Sequence, residues 1–126
     1  MGIKLQAGQS VFLDTAPLIY YIEEDDRYLA GLSGFFDTVT AANVILVTSF
    51  ITYIEILTLP EKRGQTRLAA RYRDFMTNSE QLSIYPLTVP VADAAIRFRA
   101  QEGLRTPDAI QLATAHVCGV DIVLTN

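Results

Sequence analysis

Three acidic residues, Asp14, Glu55 and Asp108, each interrupt a segment that is otherwise apolar. Asp14 ends Ser10-Val11-Phe12-Leu13-Asp14, and Glu55 sits inside Phe50-Ile51-Thr52-Tyr53-Ile54-Glu55-Ile56-Leu57. Asp108 stands near the start of Thr106-Pro107-Asp108-Ala109-Ile110-Gln111-Leu112-Ala113. An ionised carboxylate is costly to remove from water unless something compensates it. Three such groups suggest one shared compensator, and a divalent cation is the simplest. Brought together without a cation, they would repel one another and raise at least one pKa. Mg²⁺ and Mn²⁺ are hard ions that take carboxylate oxygens. Ions held this way can turn water into a nucleophile and clamp the attacking and leaving oxygens of a phosphodiester. Such chemistry needs no His, Cys or Ser nucleophile, and the chain has one His. The plainer alternative is three unrelated helix-terminal or surface acids.

The elements that must position these acids can be traced along the chain. Val11-Phe12-Leu13 reads as a short buried strand ending at Asp14, and Pro17 suits the first turn of a helix through Leu18-Ile19-Tyr20-Tyr21-Ile22. Residues 27–42 carry helix-spaced apolar positions (Tyr28, Leu32, Phe35, Phe36, Val39), although Gly31 and Gly34 weaken the pattern. Val44-Ile45-Leu46-Val47 is a second buried strand, after which Thr48 or Ser49 can cap a helix with Glu55 in its first turn. Pro60 and Gly64 mark a break before a helix over 66–76 with Leu68, Ala69, Tyr72, Phe75 and Met76 on its inner side. Leu82-Ser83-Ile84-Tyr85-Pro86-Leu87 is a third strand, placed near an edge because proline cannot donate to a ladder. A helix over 91–101 stops near Gly103. Thr106 then caps a helix that has Pro107 at its first position and Asp108 in its first turn. That helix runs to Gly119 and is followed by a last strand, Asp121-Ile122-Val123-Leu124.

Apolar strands alternating with helices predict an α/β fold, a three-layer α/β/α arrangement with a parallel sheet of four or five strands. Ligands of such sheets bind beyond the carboxyl ends of the strands. Asp14 ends a strand, and Glu55 and Asp108 fall near helix starts, so one sheet edge is expected to gather all three.

The chain of 126 residues is expected to form one domain with a real core. It is 50% hydrophobic and 19% charged, within the range of compact folded proteins. It has no apolar run approaching the roughly 20 residues that cross a bilayer, and no long apolar stretch of a signal peptide at its N-terminus. A single cysteine, Cys118, cannot form an internal disulfide, so a reducing cytoplasm is expected. The net charge of −4 argues against binding nucleic acid by bulk electrostatics, so any such binding would use a local basic patch or metal ions that offset the acids.

The acidic segments resemble a known family. Val11-Phe12-Leu13-Asp14-Thr15-Ala16-Pro17-Leu18-Ile19 resembles the opening of PIN-domain nucleases, in which a strand ends in Asp followed by Thr or Ser. Thr48-Ser49-Phe50-Ile51-Thr52-Tyr53-Ile54-Glu55-Ile56 resembles their second motif. Leu104-Arg105-Thr106-Pro107-Asp108-Ala109-Ile110-Gln111-Leu112-Ala113-Thr114-Ala115 is similar to the third acidic motif of VapC-type toxins of bacterial toxin–antitoxin pairs, and Gly119-Val120-Asp121-Ile122-Val123-Leu124-Thr125-Asn126 to the strand that follows. The resemblance implies a PIN-like fold and a Mg²⁺- or Mn²⁺-dependent endoribonuclease. Asp14, Glu55 and Asp108 would be its metal ligands, and Thr15 a neighbour able to bond the metal-bound water or a phosphate; apart from the resemblance, Arg105 is close in sequence to Asp108 and could contact a phosphate of the substrate there. The resemblance also implies an antitoxin partner and an RNA substrate, and an apolar surface from the early helices could serve a homodimer or an antitoxin segment. The family places a fourth acid directly after a Thr-Asn or Thr-Arg pair, whereas this sequence stops at Asn126. The expected reading is a single PIN-like domain over 1–126 that lacks its C-terminal end. The alternative is a site short of one ligand, in a PIN-fold binding module with weakened catalysis. A dehalogenase-type phosphotransferase would need a second Asp two residues after Asp14, where Ala16 stands.

Other polar residues have plainer readings. Arg63, Arg67 and Arg71 recur every four residues with Arg73 nearby, forming a solvated basic helix face that could touch phosphates. Arg97 and Arg99 are equally open. Glu23-Glu24-Asp25-Asp26 reads as a solvated loop, Asp93 as an acid in a first helical turn, and His116 as a residue favourable near a helix C-terminus. Cys118 reads as a small buried hydrophobe, and Tyr20, Tyr21, Phe35, Phe36 and Tyr53 as mostly core.

Overall fold

A computed structural model describes residues 8–23, 43–80 and 82–125. The expected helix over 27–42 and the acidic run from Glu24 to Asp26 lie outside the described residues. Four strands, β1 (Ser10–Leu13), β2 (Ile45–Ser49), β3 (Leu82–Tyr85) and β4 (Ile122–Leu124), form one parallel sheet in the order β3-β2-β1-β4. Among the described residues five helices accompany them: α1 (Thr15–Glu23), α2 (Phe50–Lys62), α3 (Thr66–Asn78), α4 (Val89–Glu102) and α5 (Thr106–Cys118). The sheet places β3 at an edge, as expected, although the strand ends at Tyr85 and Pro86 falls just beyond it.

Alternation along the strands builds two apolar layers. Val11 and Leu13 of β1, Leu46 of β2 and Leu82 of β3 face α1, α2 and α3, joining Leu18, Ile22, Ile56, Leu57, Ala69, Tyr72 and Met76 in the larger core. Phe12 and Val47 point the other way and meet Ala115 of α5. Alpha helices α4 and α5 pack through Val91, Ala94, Ala95, Ala109 and Ala113, small residues that allow close approach. The three-layer α/β/α expectation is thereby met.

Several boundaries differ from those read in the sequence. Pro60 lies inside α2 and is buried. Its missing N–H removes one helix bond, but the last turn closes with Arg63 N–H on the Leu59 carbonyl at 3.0 Å. α4 begins two residues earlier than expected, capped by the Thr88 hydroxyl, which accepts from Val91 N–H at 3.3 Å. That start moves Asp93 out of the first turn. It ends at Gly103, whose φ of 68° is a left-handed conformation that favours glycine. Thr106 is the first residue of α5 and not its cap. Arg105 holds that position, and its carbonyl receives the Ala109 N–H at 2.9 Å with no side-chain cap. Among the described residues no helix is long and apolar enough to cross a membrane.

Candidate active site

The strand order fixes where a ligand site should form. From β1 the chain steps to β2 and β3 on one side, then returns through β4 to the other side of β1. The two directions diverge beyond the carboxyl ends of β1 and β4, the crevice that parallel sheets use for ligands. Asp14 occupies that point. Its N–H donates to the Leu124 carbonyl at the end of β4, 3.0 Å away, and its carbonyl receives Leu18 N–H of α1 at 3.2 Å.

Ser49, the last residue of β2, caps α2 by accepting from Ile51 N–H at 3.1 Å and Thr52 N–H at 3.3 Å. Because α2 therefore starts at Phe50, Glu55 falls in its second turn and not the first. Asp108 stands in the first turn of α5, whose N-terminus reaches the same edge. Asp14 is half-buried, whereas Glu55 and Asp108 are exposed. None of the three is fully buried, so burial alone does not single them out.

What unites them is charge. Glu55 has its pKa raised above the ordinary carboxylate value, first by partial burial, then by the negative charge of Asp14 and, less strongly, of Asp108. The Thr15 hydroxyl opposes the rise by donating to Glu55 Oε1 at 3.5 Å. Thr15 also donates its N–H to Asp14 Oδ1 at 2.8 Å, so it bridges the first two acids. Among the described residues no three His, Cys, Asp or Glu groups stand close enough together to hold one ion. The acids share an edge and a field without forming a tight cluster. The donors themselves suit a hard divalent cation, being carboxylate and hydroxyl oxygens.

The raised pKa means the folded protein holds the Glu55 proton more tightly than the unfolded chain does. Ionised Glu55 therefore costs stability above its folded-state pKa, and the cost is relieved as pH falls into that range. At neutral pH without divalent ions, Glu55→Gln is expected to melt at or above the wild-type temperature, as scanning calorimetry would read. A fall of several degrees would show that repulsion does not govern this side chain.

One participant was not visible in the sequence. Gln111, half-buried on α5, donates from Nε2 to Asp14 Oδ1 at 3.0 Å and to Thr52 Oγ1 at 2.8 Å, while its Oε1 accepts from the Ser49 hydroxyl. Thr48 adds a buried bond from its hydroxyl to the Leu13 carbonyl at 2.8 Å, tying β2 to the residue before Asp14. Arg105 is exposed at the N-terminus of α5, three residues before Asp108.

The remaining candidates have structural surroundings. Arg71 donates to the Ile22 carbonyl at the end of α1, 2.7 Å away. Arg73 reaches the Tyr53 hydroxyl at 3.3 Å and Glu61 at 3.7 Å, so these two members of the basic stripe are engaged within the fold. His116 meets Phe98 edge-on, and half-buried Cys118 packs against the Phe12 cluster.

A family model of the PIN domain matches residues 11–126. The chain belongs to the PIN domain family. No curated protein sequence matches it significantly. Among solved structures, a toxin–antitoxin complex from Klebsiella pneumoniae is similar at 23% identity and a TM-score of 0.67, over 92% of this chain and 86% of that one. VapBC2 from Rickettsia felis, bound to a DNA fragment of its promoter, is similar at 19% identity and 0.69, over 94% and 89%. Mycobacterium tuberculosis VapC20, a toxin that cleaves the sarcin–ricin loop, is similar at 16% identity and 0.69, over 90% and 86%. At these identities the likeness establishes a shared PIN fold.

Proposed function

We propose that this PIN domain is a metal-dependent endoribonuclease, the toxin of a toxin–antitoxin pair. The observation that carries the reading is Asp14 at the divergence of β1 and β4, with Glu55 under the negative field of Asp14 and Asp108. Family membership and the VapC-type structural neighbours support it. In this reading Asp14, Glu55 and Asp108 hold Mg²⁺ or Mn²⁺ through carboxylate oxygens. Such an ion, when bound, supplies Lewis acidity and a water-derived nucleophile at neutral pH. Thr15 links Asp14 and Glu55 through its N–H and its hydroxyl, and Thr15 and Arg105 would contact the RNA phosphate.

An antitoxin or a second copy of the chain requires an apolar surface. Phe50, Ile54 and Leu87 are exposed around a small groove that Ile51 and Ile110 also line, a patch of the kind that protein partners cover. The neighbours are named as complexes, which favours the antitoxin as one occupant.

A second reading, a PIN-fold binding module with weakened catalysis, draws on the absence of a tight ion-holding cluster among the described residues. One experiment separates the two. In millimolar Mn²⁺ the purified protein should melt several degrees higher than in chelator, because an ion bound only to the native state stabilises it by mass action. It should also cut RNA only with the ion present. No thermal shift and no cleavage would favour the binding module.

A further inference from the structure

We propose that Gln111 is a positioning residue that sets the rotation of the Asp14 carboxylate. The inference rests on the metal-dependent reading above and concerns which Asp14 oxygen meets the cation. Asp14 Oδ1 receives two N–H donors, from the Thr15 backbone at 2.8 Å and from Gln111 Nε2 at 3.0 Å. Two donors converging on one oxygen fix the plane of the carboxylate. Among the described residues no donor reaches Oδ2, which is thereby the oxygen presented to a cation.

The Gln111 amide is itself held from three sides. An ionised carboxylate only accepts, so the group facing Asp14 must be the NH₂. Its second hydrogen goes to Thr52 Oγ1 at 2.8 Å. Ser49 Oγ already accepts the Ile51 and Thr52 N–H groups, which leaves its own hydrogen to donate to Gln111 Oε1. Ser49 and Thr52 are almost wholly buried, so their hydroxyls are anchored by the sheet and by α2. Gln111 thus carries the rigidity of β2, α2 and α5 to one oxygen of a residue on β1. A side chain that orients a metal ligand in this way commonly affects ion affinity 10–100-fold.

The test is calorimetric titration of the purified protein with MnCl₂, well below each variant's melting temperature. Gln111→Met keeps the length and removes every polar atom, and it should weaken Mn²⁺ binding about 10-fold or more. Gln111→Leu carries the same expectation should the Met variant not fold. Thr48→Val is the control for stability, because it deletes a buried bond at the same sheet end without touching the Asp14 carboxylate. It should bind Mn²⁺ as the wild type does. Wild-type affinity in both Gln111 variants would overturn the positioning role, and so would equal weakening in Thr48→Val. A wild type that binds no Mn²⁺ would instead remove the metal-dependent reading on which the role rests.

Discussion

Asp14→Asn is expected to lower Mn²⁺-dependent RNA cleavage by more than about a hundredfold while leaving the fold intact. Changing only an outer partner of a metal ligand already costs about 10–100-fold, and here a charged ligand itself would be lost. The local bonds explain why the fold should survive. The amide oxygen of an asparagine can still accept from Thr15 N–H and from Gln111 Nε2, the two bonds that orient this side chain. What changes is the other atom, from an anionic oxygen to an NH₂ that cannot ligate a cation. Removing one negative charge beside Glu55 also relieves the repulsion that raises its pKa. Without metal the variant should therefore melt no lower than the wild type. Rates are read on one RNA in Mn²⁺ and in chelator, with melting curves beside them. Undiminished cleavage by the folded variant would remove Asp14 from the reaction.

The sequence made the frame of this site legible because the frame is built from local signals. A strand that ends in Asp14, a hydroxyl that caps α2 and a proline at the start of α5 are all visible within a few residues. The alternation that splits Phe12 from Val11 and Leu13 is also local, and it is what makes the sheet two-faced. Gln111 was not legible. In Ala109-Ile110-Gln111-Leu112 it reads as a polar break in an apolar helix, since its three partners lie 59, 62 and 97 residues away and meet it only across the crossover. The exposure of Glu55 and Asp108 was hidden for a related reason. Apolar neighbours in sequence imply burial, but neighbouring residues of a helix point about 100° apart, so Glu55 can face solvent while Ile56 is buried. The start of α5 failed differently. Arg105 takes the cap position with no side-chain hydrogen bond and so leaves no signature, and Thr106 offered one that the fold does not use.

Phe12→Ala is expected to produce the largest loss of stability, about 3–5 kcal/mol. Phe12 is among the largest fully buried side chains and sits two residues before Asp14. It packs with Val47 and Ala115, so it is part of the seam that joins β1 and β2 to α5. A domain of this size is stable by roughly 5–15 kcal/mol in total, and the loss corresponds to a fall of roughly 10–20 °C in melting temperature. The same seam sets the distance between Asp14 on one side and Asp108 and Gln111 on the other. Truncating Phe12 should therefore weaken Mn²⁺ binding even at temperatures where the protein stays folded. Met76→Ala supplies the comparison: Met76 is buried in α3 within the opposite core, and its truncation costs about 2–5 kcal/mol. Two variants of similar instability should then differ in ion affinity, with only Phe12→Ala impaired. Equal affinities measured by calorimetric titration at low temperature would show that the α5 seam does not govern the geometry of the acids.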